Sequence, residues 1–163
     1  MIPKFRGVSI SDNNKGQWMY GNLIIDGNYA YIVNGVIESN DQYITIAEWC
    51  PVDPITVGAS LGLVDINGQE IFEGDVVKFK DTWDEYGYEG YVDGTSEGEN
   101  FTEIIKTEDG FSFGRTKIPE SSVFYFLDDE RMKFSEIVES DDFSMVIVGN
   151  IYENPELLEA TND

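Results

Sequence analysis

The sequence predicts a mainly antiparallel all-β protein. Three observations carry that prediction. Apolar and polar residues alternate with period two through several runs, glycine-containing turn pairs fall between those runs, and few stretches show helical spacing. The first lobe is expected over residues 1–55. Residues 17–25 ("QWMYGNLII") and 29–37 ("YAYIVNGVI") flank Asp26-Gly27, a hairpin signal. In 43–49, Tyr43, Thr45 and Ala47 share one face, and Ile44, Ile46 and Glu48 the other. Pro51 and Pro54 then interrupt the pattern. Proline removes a ladder donor, so "CPVDPITVG" reads as a crossover between lobes.

The second lobe is expected over residues 56–163. Strands at 61–64 and 70–73 flank Asn67-Gly68, and Glu73-Gly74-Asp75 turns the chain into a strand at 76–80. Further strands are expected at 101–106, 111–113, 123–126 and 144–149. "DDERMKFSEIVES" fits a short helix. Asn154-Pro155-Glu156 has the order of an N-cap, a first-turn proline and an acid, so a short C-terminal helix or turn should follow. The expected core comprises Trp18, Tyr20, Leu23, Ile25, Ile44, Ile46, Leu63, Ile71, Val77, Phe79, Ile147 and Ile151.

Residues 81–100, "DTWDEYGYEGYVDGTSEGEN", differ from the rest. They hold seven acids, four aromatics and four glycines, with no Lys or Arg. Mutual repulsion and glycine entropy predict a mobile acidic loop, or a hairpin near Tyr88–Val92 with flexible flanks, that orders on meeting a partner. Aromatic side chains make good interface anchors. Trp83, Asp84, Glu85, Tyr86, Tyr88, Glu89, Tyr91 and Asp93 are therefore the candidate partner-binding residues.

Composition narrows the function. The chain has 163 residues, enough to bury roughly 70% of its unfolded surface without staples. It carries 32 acidic and 10 basic residues, a net charge of −22, which repels a phosphate backbone and makes direct nucleic-acid binding unexpected. The expected partner is a protein, basic or neutral. Histidine is absent, which removes Ser-His and Cys-His pairs and His-ligated zinc. The single cysteine, Cys50, allows no internal disulfide and reads as a small buried residue. No apolar run approaches the ~20 residues that span a bilayer, and the N-terminus lacks a signal-peptide core, so a soluble intracellular protein is expected. No glycine is followed by Lys-Ser/Thr as in a phosphate loop, and "DINGQE" lacks the spacing of a calcium loop. No catalytic, cofactor-binding or metal-binding residue is assigned.

Three stretches in order, "MIPKFRGVSISDNNKGQWMYGNLI", "TVGASLGLVDINGQEIFEGDVVKF" and "VIVGNIYENPELL", resemble the opening, centre and close of YopX-like proteins of phages and prophages. The resemblance runs from residue 1 to about 158 and departs at Leu61, where the family usually has threonine or a similar residue. It implies a mainly β protein with an SH3-like barrel component, acting in the cytoplasm of a bacterial host, and it brings no catalytic residues. The expected function is a non-catalytic accessory module that binds a basic or host-derived protein and forms a homo-oligomer. Two alternatives are an acidic nucleic-acid mimic that inhibits a host DNA-binding protein, and a carboxylate- or metal-dependent hydrolase.

Overall fold

A computed structural model describes residues 4–87, 89–129 and 131–160. The chain divides into two compact units, residues 1–60 and 61–163. In the first unit, strands β1 (Phe5–Val8), β2 (Trp18–Asp26), β3 (Tyr29–Ser39) and β4 (Ile44–Val52) form antiparallel pairs in the order β4-β3-β2-β1. The first hairpin turns through Gly27 and Asn28, one place beyond the expected pair. A 3-10 turn at Pro54–Thr56 follows, and then β5 (Gly58–Val64), whose Gly58 and Ala59 pair with Arg6 and Phe5. Ser9 bridges to Val52, tying the end of β4 to the chain beyond β1.

One face of this sheet supplies the small core. Ala30, Ile32 and Val52 are buried, with Phe5, Met19, Leu23 and Val57 packed against them. Their common face follows from register, because directly opposed residues of antiparallel strands point the same way: Leu23 faces Ile32, and Ala30 faces Val52. The expected core members Tyr20, Ile25 and Ile44 are exposed instead. Ile25 lies next to the first turn and Ile44 at the far end of the β3–β4 hairpin, where alternation continues but no layer of chain covers it. Alternation reports which residues share a face; it does not report whether that face is covered.

The second unit contains β6 (Glu70–Phe72), β7 (Asp75–Tyr86), β8 (Val92–Thr107), β9 (Gly110–Thr116), helices α1 (Ser122–Asp128) and α2 (Phe134–Glu139), β10 (Val146–Asn150) and a 3-10 turn at Pro155–Leu158. Its main sheet has the order β10-β7-β8-β9, all antiparallel. Leu61, Ile71, Val77, Phe79, Ile104 and Phe113 from the strands meet Val123, Ile137 and Val138 from the helices, with Phe143 and Met145, in one buried cluster.

This arrangement corrects the expected SH3-like barrel. The four-stranded sheet ends at β10 on one side and β9 on the other, and neither sheet closes. The physical reason lies in residues 123–126, expected as a strand and found within α1. Val123, Phe126 and Leu127 follow the i, i+3, i+4 spacing of a helix face. Ser121 starts the helix, its Oγ accepting from the Val123 amide at 3.3 Å. A helix at this position buries Val123 against the sheet, as one layer on another.

Turn chemistry accounts for the central glycine-rich stretch. Asp65 Oδ1 accepts from the amides of Asn67 and Gln69, both at 2.9 Å, and Oδ2 accepts from the Ile147 amide of β10 at 3.0 Å. The "DINGQE" carboxylate thus holds a turn and pins a strand 82 residues away. Asp75 Oδ2 accepts from the Phe72 amide at 2.8 Å, closing the Glu-Gly-Asp turn. Gly74 within it has φ +93°, and a Cβ there would lie 3.1 Å from the Tyr152 ring, so both conformation and space call for glycine.

Candidate interaction surface

The acid-rich segment 81–100 is a β-ribbon, not a long loop. β7 and β8 stay paired from Asp81 opposite Gly98 to Glu85 opposite Gly94, then shift by one residue to place Tyr86 opposite Val92. Gly87 and Tyr91 close the end through an amide-to-carbonyl bond of 2.8 Å. Within the ribbon no acid stands directly opposite another: Lys80 faces Glu99, Thr82 faces Glu97, Asp84 faces Thr95, and Glu85 faces Gly94. Like charges directly opposed would destabilise the pairing, and this register avoids them.

The ribbon also has an internal frame. Trp83 lies over Gly98, where a Cβ would come within 3.0 Å of the indole. The Trp83 Nε1 donates to Glu85 Oε1 at 3.2 Å, and Ser96 Oγ donates to the same oxygen at 2.7 Å. At the base, buried Asp81 is fully engaged. Its Oδ1 accepts from Ser122 Oγ at 2.5 Å, from the Ser122 amide at 3.0 Å and from the Thr82 amide at 2.9 Å; Oδ2 accepts from Asn100 Nδ2 at 2.8 Å. One carboxylate therefore joins the ribbon to the start of α1.

Of the candidate residues, Trp83, Asp84, Glu85 and Tyr86 lie on β7, Glu89 and Tyr91 at the turn, and Asp93 on β8. Tyr88 lies outside the described residues, as do the side chains of Tyr86 and Asp93. Glu89 and Tyr91 are exposed, and Trp83 and Asp84 half-buried. Sequence reasoning missed the two hollows beside the ribbon base. One, of about 590 Å³, is lined by Lys80, Glu97, Glu99 and Asp142 over Phe126 and Phe143. The other, of about 280 Å³, is bounded by Trp83, Asp84, Thr95, Glu120 and Tyr125. They depend on α1, which was expected as a strand. The helical spacing of Val123, Phe126 and Leu127 was the available signal.

Among the described residues, no group of three or more Cys, Asp or Glu side chains is placed to hold a metal ion. Cys50 is buried with its Sγ 3.2 Å from Ser9 Oγ. No helix among the described residues is long and apolar enough to cross a membrane.

Fold and surface together define an acidic protein of two mainly antiparallel β units, the second closed over by two short helices. The chain belongs to the YopX family, whose model, described as "YopX protein", matches residues 4–159. It is similar in structure to protein EF1440 from Enterococcus faecalis, a crystal structure, with a TM-score of 0.55 and 23% identity over 98% of this chain and 99% of that one. At that identity the likeness concerns the fold. No curated protein matches the chain.

Proposed function

We propose that this chain is a phage- or prophage-encoded accessory protein that acts without catalysis, by binding a basic protein segment along the β7–β8 ribbon. One observation carries the reading. Seven acids and no base fall within residues 81–100 of the ribbon and its turn, and a hollow of about 590 Å³ at the ribbon base sets Glu97, Glu99 and Asp142, with Lys80, around Phe126 and Phe143. Glu97 and Asp142 attract a Lys or Arg side chain, Glu99 being paired with Lys78 at 3.8 Å, and Phe126 and Phe143 accept its apolar stem. Trp83 and Tyr91 supply aromatic contact area. Cytoplasmic action in a bacterial host and assembly into an oligomer belong to the same reading.

Mimicry of nucleic acid gains less support. Asp84, Glu97 and Glu99 share one face of the ribbon while Glu85 lies on the other, and Asp81 is buried in its hydrogen bonds. A phosphate-like row needs its charges on one side.

The test compares proteins captured from host lysate by the wild type and by Asp84→Asn/Glu97→Gln. A basic protein retained by the wild type and lost by the variant is the expected result. Identical captures by both would remove the ribbon from the interaction.

A further inference from the structure

The acidity and the exposed apolar surface of this chain lie in different places. Residues 1–60 hold six acids and three bases, net −3; residues 61–163 hold 26 acids and seven bases, net −19. Among the described residues, the exposed large apolar side chains concentrate in the first unit, and six of them sit on the β3–β4 hairpin: Tyr29, Val36, Ile37, Tyr43, Ile44 and Trp49. Two copies of a chain with charge −22 repel each other, and the unit at net −3 is where that repulsion is least.

The hairpin also has an open edge. β4 is the terminal strand of its sheet. Only its end is tied back, through the Ser9–Val52 bridge and the Ile10 amide bonded to the Pro51 carbonyl at 3.0 Å. Ile44–Trp49, "ITIAEW", has no second strand beside it among the described residues. It contains no Lys or Pro and one acid, Glu48, and the bulge beside it, between Val36 and Glu38, places its extra residue on β3 and leaves the edge strand itself continuous.

We infer that β4 pairs antiparallel with β4 of a second copy about a two-fold axis at Ile46. This goes beyond the ribbon reading and gives its oligomer a defined surface. The register follows from charge and shape. Centred on Ile46, Ile44 faces Glu48 of the second copy, Thr45 faces Ala47, and Tyr43 faces Trp49. A register centred on Glu48 would oppose two carboxylates. Ile44 and Ile46 share a face with Val36, which stands opposite Ile46 in the β3–β4 ladder. That face of the seam then has Ile46 at its centre, with a Glu48 carboxylate beside Ile44 at each margin, and the other face is aromatic at its margins, where Tyr43 meets Trp49. Apart from Tyr29, these exposed side chains offer on the order of 500 Å² per copy, and the paired edge adds to it, near the ~800 Å² per partner of a standard interface.

Sedimentation of the full chain should show a concentration-dependent dimer. Thr45→Lys/Ala47→Lys and Thr45→Glu/Ala47→Glu should each be monomeric, since each sets like charges face to face, and mixing them should restore the dimer. Ile46→Cys should form a covalent dimer under mild oxidation, with Thr45→Cys lagging because it meets Ala47 rather than itself; this holds even if a charged variant unfolds. A wild type monomeric over its soluble range overturns both this inference and the oligomer reading. Charged variants that remain folded dimers overturn the β4 seam alone, and neither result bears on ribbon binding.

Discussion

Asp65 shows how one side chain can look like a ligand and act as a fastener. Its two oxygens accept from three main-chain amides, two in its own turn and one on β10. Removing the carboxylate leaves those amides without their acceptor, and bonds to charged groups are worth about 1.5–3 kcal/mol each. Asp65→Ala should therefore lose about 3 kcal/mol or more in urea unfolding. Calcium should leave the wild-type melting temperature unchanged; a rise with calcium would return the turn to the metal-loop reading. The sequence shows the Asn-Gly turn, because turn type selects residues locally. It does not show the bond to Ile147, because a contact across 82 positions leaves no local pattern.

At the scale of elements, the ribbon shows which interactions fix a register. A slip of two residues in one direction places Asp84 opposite Glu97, and in the other opposite Asp93, whereas the observed pairing gives it Thr95. Thr95→Glu should destabilise the second unit by about 0.2–1 kcal/mol, and Thr95→Lys should not. Chemical denaturation of the two variants side by side checks the sign. The hairpins at Asn67-Gly68 and Glu73-Gly74-Asp75, and α2, were legible because turn residues or apolar spacing act within a few positions. The flanks of the ribbon were not. Its acids and glycines read as a loop, while the features that order it, Trp83 over Gly98 and Glu85 bridging Trp83 and Ser96, join residues 11 to 15 apart. α1 was misread from its compact apolar run, and the closed barrel fell with it. Of the candidate site, the sequence marked the ribbon residues but not the hollows that α1 creates.

For the whole molecule, the split between a unit of net −3 and one of net −19 predicts opposite responses to salt. Screening acts over ~8 Å at physiological ionic strength. Added salt should strengthen pairing between copies, because it weakens their mutual repulsion while the apolar seam is unaffected. The same salt should weaken capture of a basic partner. Sedimentation and capture measured across one salt series would separate the two activities. A common direction for both would mean that a single surface serves them.

The placement of the three tryptophans makes the protein its own optical reporter. Trp18 lies under the Arg6 guanidinium, 4.3 Å from its ring centre; Trp49 stands 65% exposed on β4, edge-on to Tyr31; and Trp83 is held within the ribbon by Glu85. Self-association through β4 withdraws one indole from water, and a segment laid along the ribbon alters another. Emission from Trp49 should shift to shorter wavelength on concentrating the protein and stay fixed on adding a basic peptide, while Trp83 should do the reverse. Variants keeping one tryptophan at a time, the others replaced by phenylalanine, would report each event as a separate colour change in solution.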